Sequence, residues 1–353
     1  MRWGIYGTGC IAEDFCTALS CMDQSLHEIV AVGCDDSKAA SEFGKKFKIP
    51  NTYGCCEEFV RNKNIDVVYV SSPVGDRYED CYLMIQYNKH VLCEAPCALR
   101  AEECFSLIEF ARRNKVFFME GIWMCFLPIF RHIKEEIDQG TIGDVKYFDA
   151  ALFFDVLHKE KRSTTGISGG CISNIGVYLL WLVQFVFREN PEHVLTIGDF
   201  TSNGIDEACN IILLYQNGSK ASLSCHSKLK GRADAWIYGT NGSIYIHPPL
   251  WSTNKITINR VETEIPLGLA NPSTDVEFNY PESMGFICQA ELVRHWIRAG
   301  FTESPLHTLT QTQAVSRLLE TVREKLYRSR NDFSTVPVEE QLSFFEKMRC
   351  TII

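Results

Sequence analysis

Apolar and polar positions in the first third of the chain follow two alternating patterns. Short runs that are apolar at nearly every position predict strands of a parallel sheet covered on both faces, at 2–6, 29–33, 66–70, 90–93 and 116–119. Longer segments between them predict helices at about 10–20, 37–47, 56–61, 76–87 and 101–114, with a loop around Pro50. This alternation predicts right-handed βαβ crossovers and a doubly wound α/β sheet.

The pattern changes beyond residue 121. A helix at 128–139, a strand at 145–154 and an apolar helix at about 173–187 precede short strands at 194–200, 207–215, 221–227, 233–238, 243–247 and 255–259. Turn pairs such as Asn217-Gly218 separate them, and helices at 282–299 and 309–329 follow. This order predicts a C-terminal α+β domain with an open, largely antiparallel sheet.

A glycine-rich turn joins the first strand to the first helix. In this GxGxxA pattern Gly7 permits a tight turn, Gly9 lets a pyrophosphate approach the backbone, and Ala12 allows the helix to pack closely on the strand. Cys10 and Ile11 open the helix, whose N-terminus favours a phosphate. Placed between a strand and a helix, the pattern favours dinucleotide binding over a purely structural glycine turn.

The end of the second strand is where an adenosine ribose would be recognised. The carboxylate of Asp35 can accept hydrogen bonds from ribose hydroxyls, and it would repel the 2′-phosphate of NADP. Lys38 lies near enough to reduce that preference. The expected cofactor is NAD or NADP, with NAD slightly favoured.

Two further strand ends carry prolines. Ser72 and Pro73 follow the third predicted strand, and the segment Glu94-Ala95-Pro96 follows the fourth. Open α/β sheets bind ligands at the carboxyl ends of their strands, so Ser72, Pro73, Glu94 and Pro96 are predicted on the cofactor side. The alternative is that Glu94-Ala95-Pro96 only terminates its strand.

Composition is that of an ordinary globular protein. Of the 353 residues, 46% are hydrophobic and 22% are charged. The net charge of -9 shows no excess of basic residues that would favour binding to nucleic acid or an anionic membrane. The first residues leave no room for a secretory signal, and the apolar stretch at 171–187 is too short for a bilayer span. The 16 cysteines lack the paired spacings of zinc sites, which predicts no metal and reduced thiols in a cytoplasmic protein.

Together these patterns divide the chain into three parts. We expect a dinucleotide-binding Rossmann-type domain at 1–121, a substrate and dimerisation domain at 122–330, and a tail at 331–353 that carries a short helix at 338–348. Helices are expected to cover only one face of this sheet, so the other face is left for a partner. This predicts a homodimer through the C-terminal sheet.

Six motifs in order resemble the glucose–fructose oxidoreductase and inositol dehydrogenase family, and within it the dimeric dihydrodiol dehydrogenases: GTGCIA, SSP, HVLCEAP, WMCFLP, IDQGTIGDV and GGCISNIGVY. The resemblance extends from residue 1 to about 328. It implies a bound nicotinamide cofactor, a dimer through the open sheet, and hydride transfer at the hydroxyl-bearing carbon of a sugar, polyol or cyclic diol.

The positions that the resemblance assigns to proton transfer are changed in this chain. The family's Glu-Lys-Pro motif has Ala95 in place of lysine, and its GGxxxDxG motif has Asn174 in place of aspartate. Alanine cannot donate a proton, and an amide cannot act as a base. Because the two missing groups carry opposite charges, their joint absence leaves no charge unpaired. A histidine common in the family is matched by Arg77.

The remaining catalytic candidates are Tyr178, which matches the family's proton-transfer position, and Trp123, expected to pack near the nicotinamide. Tyr178 lies four residues after Asn174 on the same helical face, but with an unperturbed pKa near 10 a phenol is a poor base at neutral pH. The alternative for Tyr178 is a pocket-wall tyrosine. Hydride transfer is therefore expected to be weak or altered; the alternative is an inactive member that acts as a nucleotide-binding regulatory or structural protein.

Overall fold

A computed structural model describes residues 1–155, 169–267 and 276–335, with side chains up to residue 330. Its first sheet has six parallel strands: β1 (Arg2–Tyr6), β2 (Glu28–Gly33), β3 (Asn51–Tyr53), β4 (Val67–Val70), β5 (His90–Glu94) and β6 (Phe118–Gly121). Their order is β3-β2-β1-β4-β5-β6. The intervening helices are α1 (Cys10–Ser20), α2 (Ser37–Phe47), α3 (Cys56–Phe59), α4 (Arg77–Gln86) and α5 (Ala101–Asn114). The predicted doubly wound sheet is confirmed.

The region around Pro50, predicted as a loop, contains the edge strand β3. This strand pairs in parallel with β2, and the side-chain amide of Asn51 donates to the carbonyl of Val30 at 2.8 Å. A three-residue edge strand is too short to show an alternating or apolar pattern, so its pairing with β2 is visible only in three dimensions.

The second sheet has eight strands: β7 (Val145–Phe153), β8 (His193–Phe200), β9 (Asp206–Leu214), β10 (Lys220–His226), β11 (Ala233–Gly239), β12 (Ser243–Ile246), β13 (Lys255–Ile258) and β14 (Val261–Glu264). Their order is β14-β13-β12-β11-β7-β10-β9-β8. All neighbours are antiparallel except β7 and β10, which are parallel. The predicted open, largely antiparallel sheet is confirmed; the short edge strand β14 was not predicted.

Helices of the C-terminal part cover both sheets. They are α6 (Pro128–Asp138), α7 (Val177–Phe187), α8 (Phe286–Arg298) and α9 (Leu309–Thr335). Helices α7 and α9 pack on one face of the second sheet, whereas α8 packs on the first sheet beside α1, where Phe286 meets Tyr69 of β4 and Phe15 of α1. Two segments from opposite ends of the chain thus cover one face of the first sheet.

Three predicted helices differ at their ends. The helix predicted at 173–187 begins as a π-helical turn, Ile172–Gly176, and the helix predicted at 282–299 begins as a 3-10 turn, Ser283–Gly285. Helix α9 continues past residue 329, because the first proline or glycine after its start at Leu309 is Pro337. The helix predicted at 338–348 lies outside the described residues. None of the described helices is both long enough and apolar enough to cross a membrane.

Candidate functional site

A cleft opens at the carboxyl ends of β1, β4 and β5, where the first sheet faces the second. Its cavity volume is about 140 Å³, comparable with the roughly 150 Å³ of an engineered cavity that binds benzene. Most of the walls are apolar or aromatic, and the described lining residues are Ile11, Arg77, Glu94, Ala95, Trp123, Leu152, Phe154, Gly169, Asn174, Ile175, Tyr178, Trp251 and Tyr280. The cleft is large enough for one six-membered ring.

The glycine turn has the geometry that a dinucleotide requires. Gly7 adopts a φ of +113°, and a Cβ there would lie 2.6 Å from the Oγ of Ser71, so only glycine fits. Gly9 is the residue before α1, and a Cβ there would meet no described atom within 4 Å. That open space lies at the helix N-terminus, where Cys10 begins α1 and Ile11 reaches the cleft. These residues fit a pyrophosphate.

The two aspartates after β2 have different partners. Asp36 caps α2 by accepting from the backbone amides of Lys38 and Ala39. Asp35 is exposed, and its Oδ1 accepts a hydrogen bond of 2.8 Å from the hydroxyl of Tyr6. Because only Asp36 is used as a helix cap, the carboxylate of Asp35 is the one available to a ribose.

The turn after β4 holds a second acidic group. The Oγ of Ser72 donates to Oδ2 of Asp80 at 2.5 Å, and Pro73 stands exposed beside it. Burial raises the pKa of Asp80 to about 7, with the charges of Asp35 and Asp76 acting in the same direction and the hydrogen bond from Ser72 opposing them. Ser72 therefore contacts a carboxyl group that titrates near neutrality.

Arg77 is buried at the floor of the cleft and ties the strand ends together. Its Nε donates to the carbonyl of Ser72 at 2.9 Å, and its Nη1 donates to the carbonyls of Glu94 and Pro96 at 3.0 and 2.8 Å. These two carbonyls flank Ala95. Arg77 is the only basic residue that lines the cleft in the described part of the chain, so the guanidinium places a positive charge next to the position where the family has lysine.

Glu94 lines the same cleft and is 3% exposed. Its Oε1 accepts a hydrogen bond of 2.6 Å from the hydroxyl of Tyr69. Burial raises the pKa of this carboxyl to about 7; the Tyr69 hydrogen bond and the Arg77 charge oppose the rise, and Glu120 adds to it. Pro96, buried next to Ala95, completes the turn.

The predicted catalytic positions meet in this cleft. Ala95, Asn174, Tyr178 and Trp123 all line it. The amide of Asn174 donates to the carbonyl of Gly170 at 2.9 Å, and Trp123 stacks on Phe286 with ring centroids 4.5 Å apart. Burial, with the nearby charge of Glu94, raises the pKa of Tyr178 well above its usual value, so the phenol stays protonated at neutral pH.

A buried carboxylate that the sequence did not point to anchors the turn bearing Asn174. Oδ2 of Asp206 accepts from the backbone amide of Ile172 at 2.7 Å, and its Oδ1 accepts from the hydroxyl of Tyr327 at 3.1 Å. A Cβ at Gly170 would lie 1.9 Å from Asp206 Oδ1, which explains this glycine. Asp206 begins a strand of alternating polarity, and nothing in that pattern marks it as buried.

Asp14 anchors the segment that carries Tyr280, as Asp206 anchors the turn that carries Asn174. This buried carboxylate in α1 accepts from the backbone amides of Asn279 and Tyr280 and from the hydroxyl of Ser283, at 2.7 to 2.8 Å. It thereby fixes the segment that brings Tyr280 into the cleft. Among the described residues, no three or more His, Cys, Asp or Glu side chains are grouped so as to hold a metal ion.

Comparison with known families gives matches along most of the chain. Residues 1–122 match an oxidoreductase family with an NAD-binding Rossmann fold, GFO/IDH/MocA, and residues 130–245 match a GFO/IDH/MocA C-terminal domain. Trans-1,2-dihydrobenzene-1,2-diol dehydrogenase of Mus musculus is 31% identical over 92% of this chain and 97% of its own length. The Xenopus laevis enzyme of that name is 33% identical over 92% of this chain and 98% of its own length.

Solved structures with this fold include two oxidoreductases. Levoglucosan dehydrogenase, in complex with NADH and levoglucosan, aligns with a TM-score of 0.79 at 16% identity over 93% of this chain and 97% of its own. A 3-ketoreductase from Actinomadura kijaniata, in complex with NADP and TDP-benzene, aligns with a TM-score of 0.78 at 19% identity over 92% of this chain and 98% of its own. At these identities they support the fold alone.

Proposed function

Because the chain belongs to the GFO/IDH/MocA oxidoreductase family, we propose that it is a nicotinamide-dependent oxidoreductase acting at a hydroxyl-bearing carbon of a small ring-shaped molecule. Its hydride transfer is weak or altered relative to relatives with a lysine in the Glu-Lys-Pro motif. The observation that carries this proposal is the cleft itself, where the glycine turn adjoins a ring-sized cavity that contains Arg77 and Glu94.

The cofactor would lie along the carboxyl edge of the first sheet. Gly9 and the N-terminus of α1 receive the pyrophosphate, Asp35 accepts from the ribose hydroxyls, and the strand ends at Ser72-Pro73 and Glu94-Ala95-Pro96 lead towards the cleft. The carboxylate of Asp35 favours NAD over NADP, although Lys38 reduces the preference. When bound, the nicotinamide supplies or accepts the hydride.

The walls of the cleft favour a cyclic diol over a polyhydroxylated sugar or an open-chain polyol. Trp123, Phe154, Trp251 and Tyr280 give it a large aromatic surface beside its aliphatic residues. A sugar would bring several hydroxyls that need partners, since a buried polar group without a hydrogen bond weakens binding. Arg77 can polarise a substrate oxygen but cannot transfer a proton, because a guanidinium stays charged.

Fluorescence titration with NADH and NADPH, followed by turnover assays on cyclic diols, sugars and polyols, tests this function. We expect both nucleotides to bind, NADH more tightly, and slow turnover of a cyclic diol. General acid–base catalysis contributes about 10²- to 10⁴-fold, so its impairment leaves measurable turnover. Asp35→Ser should weaken NADH and strengthen NADPH, whereas Asp36→Ser, which alters the neighbouring helix cap, should leave the ratio of the two affinities unchanged.

Absence of nucleotide binding would defeat the cofactor assignment. Binding without turnover of any substrate would favour the second candidate, an inactive family member that acts as a nucleotide-binding regulatory or structural protein. The observation that favours this second candidate is the joint presence of Ala95 and Asn174 in a cleft that is otherwise well formed.

We further propose that two copies associate through the uncovered face of the second sheet. Leu195 and Ile197 of β8 are each 58% exposed there, and Ile212 of β9 lies beside them. Across β7 and β11 the face continues with Tyr147 and Tyr238, whose ring centroids are 6.1 Å apart. Exposed apolar side chains of this kind mark interaction sites, and in a twofold dimer the same patch of each copy meets its counterpart.

Analytical ultracentrifugation measures this association. The wild type should sediment at twice the 40.2 kDa of the chain. Ile197→Glu should sediment as a monomer, because the carboxylate would be buried unpaired in the interface. Leu306→Glu, at an exposed apolar residue outside both sheets, is the matched control and should remain dimeric. A monomeric wild type at micromolar concentration would rule the interface out.

The described cysteines are free, including Cys97 and Cys104, whose sulfur atoms lie 3.6 Å apart. Because the cysteines are spread through the chain without the paired spacings of zinc sites, we propose that they are reduced thiols and that the protein lies in the cytoplasm. Fluorescence imaging of the tagged protein in cells tests this placement.

A further inference from the structure

Glu94 lies next to Ala95, the position of the missing lysine, and both residues line the cleft. Glu94 ends β5. The titratable and charged groups that face it are Tyr69 from β4, Arg77 from α4, Glu120 from β6 and Tyr178 from α7. Of these, Tyr69 holds the carboxyl directly by donating to Oε1 at 2.6 Å. Glu94 is thus a buried carboxyl group fixed in the wall of the cleft.

A second buried polar group lies behind Glu94. Gln289 of α8 is completely buried, and neither its Oε1 nor its Nε2 has a hydrogen-bond partner among the described residues. A Cβ at Gly121 would lie 3.5 Å from Oε1 of Glu94 and 3.3 Å from Nε2 of Gln289. With the carbonyl of Cys93 at 3.2 Å from the same position, the surroundings of Gly121 are tightly packed and bring the side chains of Glu94 and Gln289 near each other.

We propose that Glu94 is the catalytic acid and base of this cleft and that Tyr69, whose hydroxyl donates to its Oε1, is its positioning residue. The inference rests on the proposed oxidoreductase function and names the group that carries its proton. Tyr178 then forms part of the pocket wall.

The proton step balances as follows in the oxidative direction. The substrate O–H bond breaks and its proton passes to a carboxylate oxygen of Glu94. The carbinol C–H bond breaks at the same centre, its electron pair leaves as hydride to the oxidised nicotinamide, and the C–O bond becomes a carbonyl. Reduction reverses each of these changes: a protonated Glu94 gives its proton to the oxygen and returns to carboxylate.

The absent lysine is what allows Glu94 to carry a proton. An ammonium group beside this carboxyl would favour its ionised form and lower its pKa. With Ala95 there, burial is the largest influence and raises the pKa of Glu94 to about 7, where it can both give and take a proton at neutral pH. Tyr178, with its pKa raised well above the ordinary value, cannot act as a base there.

Infrared difference spectroscopy of the nucleotide-free protein between pH 5 and 9 tests the proton carrier directly. Protonated buried carboxyls give a resolved C=O band, and we expect two such groups with pKa values of about 7, Glu94 and Asp80. Glu94→Gln should remove one component, and the matched control Asp80→Asn the other. Persistence of both components in Glu94→Gln would overturn the assignment.

Tyr69→Phe tests the positioning role. It removes the hydrogen bond to Oε1 that favours the ionised carboxyl, so the Glu94 component should shift to higher pH. For turnover, Glu94→Gln should lower kcat by about 10²- to 10⁴-fold, and the pH dependence near 7 should disappear. An unchanged pH profile of kcat in Glu94→Gln would overturn the proposal. If the protein binds no nucleotide, the proposed function fails, while the spectra still decide whether Glu94 holds a titrating proton.

Discussion

Ala95→Lys alone is expected to destabilise the protein, whereas Ala95→Lys combined with Asn174→Asp is expected to restore stability and raise turnover. The guanidinium of Arg77 already contacts the carbonyls on both sides of residue 95. A second cation in this cleft would be desolvated and close to a like charge. An unpaired buried charge costs roughly 3 to 5 kcal/mol.

In the double variant, an aspartate at position 174 would face the new lysine across the same cleft and restore the pair that the family has. We expect its kcat to exceed that of the wild type by less than the full contribution of general acid–base catalysis, about 10²- to 10⁴-fold, because Glu94 already transfers the proton in the wild type. Denaturant unfolding and steady-state kinetics measure the two effects. Ala95→Met, which adds length without charge, is the matched control and should leave kcat unchanged.

A different ranking of the variants would reject this account. If Ala95→Lys alone matched the stability and turnover of the double variant, two conclusions would follow. Arg77 would not repel the new lysine, and an aspartate at position 174 would not be needed as its partner. Arg77→His in the single variant separates these cases, because a neutral imidazole removes the like charge. Because Arg77→His also removes hydrogen bonds to buried carbonyls, the comparison is made within that background: Ala95→Lys should cost less stability there than in the wild type only if the repulsion comes from Arg77.

Local features of the fold and of the carboxyl edge of the first sheet were predictable, because each depends on a few adjacent residues. The requirement for glycine at Gly7 follows from a turn between a strand and a helix, and the structure gives it a φ of +113°. The strand that ends at Glu94 is apolar from Val91 to Cys93, which is typical of a strand covered on both faces. Both could be recognised without knowing what packs against them.

The charges of the cleft could not be predicted in this way, because they depend on contacts between distant segments. In the sequence, Arg77 is only an arginine at a helix start, in place of a histidine common in the family. Its position in the cleft depends on hydrogen bonds to carbonyl groups 17 and 19 residues away. Gln289 looks like an ordinary polar residue of an amphipathic helix until α8 is seen to pack against the first sheet. Tyr280 reaches the cleft only because Asp14, 266 residues earlier, holds its backbone.

Asp206→Ala is expected to lower the free energy of unfolding by roughly 3 to 6 kcal/mol, because it removes two hydrogen bonds to a charged group worth about 1.5 to 3 kcal/mol each. The change leaves the amide of Ile172 and the hydroxyl of Tyr327 without their acceptor. Because the released turn carries Asn174, kcat/KM should fall as well. Denaturant unfolding and steady-state kinetics measure both effects.

Two companion variants separate the hydrogen bonds of Asp206 from its charge. Tyr327→Phe removes one hydrogen bond to a charged group, so it should cost about 1.5 to 3 kcal/mol and leave the turn in place. Asp206→Asn tests pH dependence: burial raises the pKa of Asp206 above its ordinary 3.8, so ionising the carboxyl costs part of the folding free energy. That part is fully present below pH 3.8 and is lost as pH rises through the folded-state pKa, while the hydrogen bonds from Ile172 and Tyr327 remain. The asparagine variant should lack that loss. If Asp206→Ala cost no more than Tyr327→Phe, the carboxylate would not be the anchor of the turn.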